Sequence, residues 1–231
     1  MHTTLITGAN RGIGLEFCNQ YAAAGWRVLA CCRKPEKSAA LNKLAAQFPG
    51  QVFLHELELT DLARIEQLGM GLAGESIDLL INNAGILPKC DEQGFGHTDY
   101  EQWLQAFRIN TMAPLKLAET FVTQVARSKL KIMVTITSKM GSIEDSSGGY
   151  YTYRSSKAAV NMVVKNLALD LKVQGITAVL LHPGWVQTDM GGPNAMITTG
   201  QSVTGMRKVI AGLKPNDSGR FFAYDGQPIP W

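Results

Sequence analysis

Thr3-Thr4-Leu5-Ile6-Thr7-Gly8-Ala9-Asn10-Arg11-Gly12-Ile13-Gly14 opens with a short run that reads as a buried strand and turns through three glycines. Residues 15–24 follow as a helix-like segment that Gly25 stops. Glycines between a strand and a helix let the backbone approach a bound anion, and the first helical turn offers free N–H groups and positive potential. The spacing Gly8-x-x-x-Gly12-x-Gly14 suits a phosphate cradle, but it also suits a tight strand-to-helix connection. Taken alone, the turn leaves both readings open.

Beyond the turn the same rhythm repeats. Strands are predicted at 26–32, 51–57, 77–82, 131–137, 175–181 and 219–224, and helices at 36–47, 61–73, 99–126, 153–172 and 200–212. Steady alternation implies parallel strands with crossover helices on both faces. The expected architecture is therefore α/β, a Rossmann-type doubly wound parallel sheet of about seven strands. The chain shows no internal repeat, linker or low-complexity tract, so residues 1–231 are expected to form a single domain. Residues 185–200, small and polar around Pro193, read as a short flap over a cleft.

Composition excludes several classes. The hydrophobic share of 45 % suffices for a core, and 22 basic against 19 acidic residues, well mixed, leave no electrostatic footprint for nucleic acid or a membrane surface. No apolar run approaches the roughly 20 residues of a bilayer span. Met1-His2-Thr3 leads straight into the first strand, leaving no room for a signal peptide. Cys18, Cys31, Cys32 and Cys90 show no metal-ligand spacing, and Cys31 and Cys32 should point to opposite faces of a strand. His97 in the 86–98 loop has no ligand partner at suitable spacing, so no metal is expected. A reduced, cytoplasmic protein is the expectation.

Tyr153 and Lys157 lie four apart in a predicted helix and therefore share one face. A phenol of pKa about 10 is roughly 0.1 % ionised at pH 7, and lowering that value by about 3 units takes about 4 kcal/mol. An ammonium beside the phenol supplies part of this, and a cationic cofactor ring the rest. On its own the pair also fits an ordinary solvated helix face. Ser138 ends the predicted fifth strand, at the edge where open α/β sheets place their ligands. The strand at 26–32 ends in Cys31-Cys32-Arg33-Lys34, without the acid that an NAD site offers to the ribose 2′-hydroxyl. Arg33 and Arg11 instead suit a 2′-phosphate. NADP is thus favoured over NAD, with Glu36 as the nearest dissenting acid.

Thr7-Gly8-x-x-x-Gly12-x-Gly14, Asn82-Asn83-Ala84-Gly85, Asn110, Ser138, Tyr153-x-x-x-Lys157 and Pro183-Gly184 occur in this order, each at its expected element. Together they resemble the short-chain dehydrogenase/reductase family over nearly the whole chain. The segments 153–159 and 182–190 and the ending Tyr224-Asp225-Gly226…Pro230-Trp231 resemble its branch of C-factor-like and sniffer-type carbonyl reductases. The resemblance implies NADPH-dependent hydride transfer between nicotinamide and a small carbonyl or alcohol. Tyr153 would be the general acid or base, Lys157 would tune it and hold ribose hydroxyls, and Ser138 would bind the carbonyl oxygen. Asn110 would hold a water linking Lys157 to solvent. Gly8, Arg11, Gly12, Ile13 and Gly14 would take the pyrophosphate, and Asn83, Ala84 and Gly85 the adenosine ribose. Val186 and Thr188 would fix the carboxamide. The adenine-binding acid of the family corresponds to Glu58, followed by Leu59, one methylene longer than the family's Asp. Ser138 precedes Tyr153 by 15 residues, more than is usual, so the 139–150 loop should bulge and move, with Tyr150 or Tyr151 either lining the pocket or packing on the scaffold. A homodimer or homotetramer is implied. An alternative of another class stays open: a C-factor-like signalling protein that binds NAD(P) with little turnover.

Overall fold

Seven strands, β1 (Thr3–Thr7), β2 (Arg27–Cys32), β3 (Val52–Glu56), β4 (Leu79–Asn82), β5 (Ile132–Ile136), β6 (Thr177–His182) and β7 (Phe221–Ala223), form one parallel sheet in the computed structural model. The structure describes residues 1–89 and 93–231. Spatial order is β3-β2-β1-β4-β5-β6-β7. The chain winds outward from β1 to β3, then crosses back to β4 and winds the other way. Strand order thus reverses between β1 and β4, which pair with Leu5 opposite Leu80. Loops leaving their carboxyl ends diverge at that point and open a crevice.

Every residue of β1, β4 and β5 is buried. These strands are covered on both faces, and the near-continuous apolar runs of β4 and β5 are the sequence form of that environment. On one face α1 (Gly12–Ala23), α2 (Ala39–Gln47) and α7 (Thr199–Gly212) pack Phe17, Leu41 and Met206 against Ile6, Val28 and Ile81. On the other, α3 (Leu62–Gly71), α5 (Ala113–Ala126) and α6 (Tyr151–Asp170) pack Ile65, Phe121 and Val160 against Leu5, Leu29 and Leu80. Cys31 and Cys32 divide between the two cores as the strand alternation requires.

Two predicted helices are interrupted. The one expected at 36–47 begins as a 3₁₀ turn at Pro35–Lys37 and becomes α2 only at Ala39. Ser38 between them has φ −92° and ψ 87°, and its hydroxyl donates to the Asn10 carbonyl at 3.2 Å, tying this corner to the glycine turn. The helix expected at 99–126 is α4 (Tyr100–Phe107), a π-helical turn at Arg108–Met112, and α5. Pro114 lacks the N–H that would bond the residue-110 carbonyl in an α pattern, so the wider turn falls where an α-helix would already lose a bond.

Candidate active site

A cavity of about 570 Å³ opens where the strand order reverses, running from Arg33, Glu58 and Leu59 at the β2–β3 edge to Tyr153 and Lys157 on α6. Gly8, Arg11, Gly12, Ile13 and Gly14 line it on one side and Asn83, Ala84 and Gly85 on the other. Gly14 is sterically obligatory, because a Cβ there would stand 2.2 Å from the Gly8 carbonyl oxygen and 2.5 Å from Asn83 Nδ2. Thr7 Oγ1 accepts from the N–H groups of Asn83 (3.0 Å) and Ala84 (3.1 Å), while Asn83 Nδ2 donates to the Thr7 carbonyl at 2.8 Å. The Asn-Asn-Ala-Gly segment therefore braces the glycine turn as well as lining the cavity. No side chain caps the start of α1, so its first N–H groups remain available to an anion. This cradle fits the pyrophosphate of a dinucleotide.

At the β2–β3 end Cys32 and Arg33 line the cavity and Glu36 does not. The Glu58 carboxylate turns back onto its own loop, accepting from Thr60 N at 3.1 Å and Thr60 Oγ1 at 3.0 Å. Arg11 is paired with Asp189, which the sequence did not single out. Both side chains are largely exposed, at 66 % and 75 %, so the pair is weak. It nevertheless joins the glycine turn to the 185–200 flap. That flap closes on itself through Gln187 N to the Ile197 carbonyl (2.9 Å) and Ile197 N to the Trp185 carbonyl (3.2 Å). Thr188 lines the cavity, whereas Val186 is buried and does not line it.

The catalytic candidates converge at the other end. Ser138 follows β5 directly, with its hydroxyl accepting from Met140 N at 3.1 Å and acting on the Tyr153 phenol to lower its pKa. Lys157 Nζ donates to the Ile136 carbonyl at 3.1 Å and stands 5.7 Å from the centroid of the Tyr153 ring. The turn after Ser138 is pressed onto α6: a Cβ on Gly141 would lie 2.9 Å from the carbonyl carbon of Lys157. Asn161 fastens it, accepting from Thr137 Oγ1 at 2.8 Å and donating to the Gly141 carbonyl at 3.2 Å. Gly141 and Asn161 were not singled out in the sequence. Gly141 falls within the 139–150 loop, and a glycine just after a strand end marks close backbone approach. Gly141→Ala is expected to destabilise the fold by about 1–3 kcal/mol in chemical denaturation. Wild-type stability in that variant would mean the contact is slack.

Asn110 sits in the π turn, 1 % exposed. Its Oδ1 accepts from Ile86 N at 2.8 Å, and its Nδ2 donates to the Ile86 carbonyl at 2.9 Å and to Ser156 Oγ at 3.0 Å. The side chain thus anchors the cavity wall to α6. Tyr150 and Tyr151 are not among the lining residues; Tyr150 takes a left-handed conformation (φ 50°) at the start of α6, and Tyr151 is 44 % exposed. Cys90 lies outside the described residues. No cluster of three His, Cys, Asp or Glu suited to a metal occurs among the described residues. Nor is any described helix long and apolar enough to cross a membrane.

Burial, not the lysine, governs the phenol in the polypeptide by itself. Desolvation pushes Tyr153 up to about 12 against a lowering hydrogen bond from Ser138, and pushes Lys157 down to about 8. The expected lowering draws on a cationic cofactor ring as well as the lysine, and this balance is that of the polypeptide alone. The depressed lysine has a stability consequence. Below pH 8 both states bind the proton and the fold bears the desolvation cost, which disappears as pH rises from about 8 towards the ordinary 10.5. Stability should therefore climb by about 3 kcal/mol over that window. The raised Tyr153 acts in the opposite sense above pH 10, where the unfolded chain ionises first. Urea unfolding from pH 7 to 10 should show the climb in wild type and a flatter profile in Lys157→Met. Equal slopes would remove Lys157 as its source.

A fold wound in this order, with a glycine cradle at the strand switch and a Ser–Tyr–Lys cluster facing it, is that of a nicotinamide-dependent oxidoreductase. A profile of the family described as short chain dehydrogenase matches residues 2–196, and the chain belongs to that family. C-signal of Myxococcus xanthus is 45 % identical over 157 residues, which are 67 % of this chain and 93 % of that protein. The carbonyl reductase Sniffer of D. melanogaster superposes with a TM-score of 0.91 at 31 % identity over 100 % of both chains. NADPH-bound carbonyl reductase from chicken fatty liver does so with 0.91 at 35 %, over 100 % of this chain and 99 % of that one. The C-factor and sniffer-type branch that the motifs implied is the branch these relatives occupy.

Proposed function

We propose that this protein is an NADPH-dependent carbonyl reductase in which Tyr153 is the general acid of reduction and the general base of the reverse reaction. The observation that carries this reading is the Tyr153 phenol, with Lys157 Nζ 5.7 Å from its ring, lining the far end of the cavity from the glycine cradle and Arg33. Gly8, Arg11, Gly12, Ile13 and Gly14 would hold the pyrophosphate, and Asn83, Ala84 and Gly85 the adenosine ribose. Arg33 with Arg11 would hold the 2′-phosphate, Glu58 and Leu59 would flank the adenine, and Val186 and Thr188 would fix the carboxamide. Bound there, the nicotinamide supplies a hydride to the carbonyl carbon. As charge grows on the carbonyl oxygen, Ser138 donates a hydrogen bond to it and Tyr153 transfers its phenolic proton. Lys157 binds the nicotinamide ribose hydroxyls and favours the phenolate left behind. Asn110 Oδ1 keeps a second lone pair for a water leading from Lys157 to solvent. Following NADPH absorbance with a panel of small aldehydes and ketones tests the reading, and no oxidation with any of them would count against it.

Similarity to C-signal favours a second reading, in which cofactor binding rather than turnover is the biological output. Cofactor binding without turnover, equal in wild type and Tyr153→Phe, would favour it. A homodimer or homotetramer belongs to the proposal too. Met112, Met162, Leu169 and Val173 are 49 %, 61 %, 63 % and 92 % exposed on and beside α5 and α6, an apolar set that a second copy would cover. Light scattering at micromolar concentration should give a multiple of the monomer mass; a monomer would overturn this. Three free, buried thiols, Cys18, Cys31 and Cys32, suit a reducing cytoplasm.

A further inference from the structure

Helix α6 carries both Tyr153 and Lys157, yet its start has no local cap. Tyr150 precedes it in a left-handed conformation without a side-chain hydrogen bond to the first turn. The orphan donors there must be met from elsewhere. Gln93, distant in sequence and 0 % exposed, meets two of them. Its main-chain carbonyl accepts from Tyr151 N at 3.2 Å, and its Oε1 accepts from the N–H of Tyr153 itself at 3.1 Å and from the Thr152 hydroxyl. Its Nε2 donates to the carbonyls of Pro88 at 2.5 Å and Lys89 at 3.3 Å. All four hydrogen-bonding positions of the carboxamide are thereby used.

We propose that Gln93 is a positioning residue for Tyr153, capping the first turn of α6 from outside the helix and setting the phenol against the 85–89 wall of the cavity. The two sides it joins are the ones the reaction must hold in register. Gly85 and Ile86 line the cavity, Ile86 is held at both backbone groups by Asn110, and Pro88 and Lys89 follow directly in the chain. Asn110 fixes that wall to Ser156 in the second turn of α6, and Gln93 fixes it to Tyr153 in the first. An exposed cap would exchange its bonds for water with little loss. A cap buried to this degree leaves a backbone donor and a hydroxyl unpaired when removed, so the first turn must shift or admit water.

The proposal rests on the carbonyl reductase reading for its kinetic arm only. In Gln93→Met, which keeps the side-chain length and the main-chain bond to Tyr151 N but loses every side-chain hydrogen bond, kcat should fall about tenfold or more while NADPH affinity, titrated by fluorescence, stays within about twofold. Amide exchange followed by NMR should quicken about tenfold or more at Tyr153 and remain unchanged at Val160 and Val164. Gln93→Glu, which still presents an oxygen to the Tyr153 N–H, should recover part of both losses and serves if the methionine variant does not fold. Unchanged exchange at Tyr153, or exchange quickened equally along all of α6, would overturn the proposal, as would wild-type kcat in the folded variant. Should wild type oxidise no NADPH, the reductase reading fails, and the exchange measurement decides the role of Gln93 alone.

Discussion

Tyr153→Phe is expected to lower kcat for carbonyl reduction by about 10²- to 10⁴-fold, the range that a positioned general acid supplies. The substitution keeps the ring, which is 7 % exposed and lies beside the Lys157 ammonium, and removes only the hydroxyl. NADPH affinity and thermal stability should therefore change little. Burial holds the phenol up near 12, so at neutral pH it carries its proton and is ready to donate. That state suits the reductive direction; the oxidative direction requires the phenolate, which more alkaline pH favours. Single-turnover oxidation of NADPH, paired with fluorescence titration, separates chemistry from binding. Undiminished turnover in the variant would take the proton-transfer role away from Tyr153.

Arg33→Ala should weaken NADPH binding by about 10- to 100-fold and leave NADH nearly untouched, the loss of one charge-assisted bond to a 2′-phosphate. Arg33 lines the cavity at the tip of β2, where Glu36 does not reach and Glu58 is bonded to Thr60. Arg11 should show a smaller effect because its guanidinium is shared with Asp189. Titrating both dinucleotides against both arginine variants measures the difference. Equal losses for NADPH and NADH would place Arg33 elsewhere than on the 2′-phosphate.

The sequence carried the parts of this molecule that depend on local chemistry. Alternating apolar runs gave the strand count, and the glycines at 8, 12 and 14 marked the cradle because only a bare Cα fits where Gly14 meets Gly8. The i, i+4 spacing put Tyr153 and Lys157 on one face of α6, and Ser138 at a strand end put it opposite them. What stayed illegible depends on distant partners. Residues 108–112 have ordinary helical propensities, and the π turn answers to Asn110 reaching Ile86 and Ser156. Glutamine is commonly a surface residue, so nothing local distinguished Gln93. The direction of the Tyr153 and Lys157 shifts turned on burial, which spacing alone does not report.

The π turn also sets a limit on how this chain can be regularised. Each residue of an α-helix advances about 100° around the axis, so the extra residue accommodated at Arg108–Met112 rotates everything before it relative to everything after. Trp103 bonds Ser155 on α6 from one side of the break, and Phe121 enters the core beneath the sheet from the other. Redesign for a smoother, more rigid rod would satisfy one of these faces by misaligning the other. The irregularity behaves as a phase adjuster between two surfaces that no uninterrupted helix could serve at once.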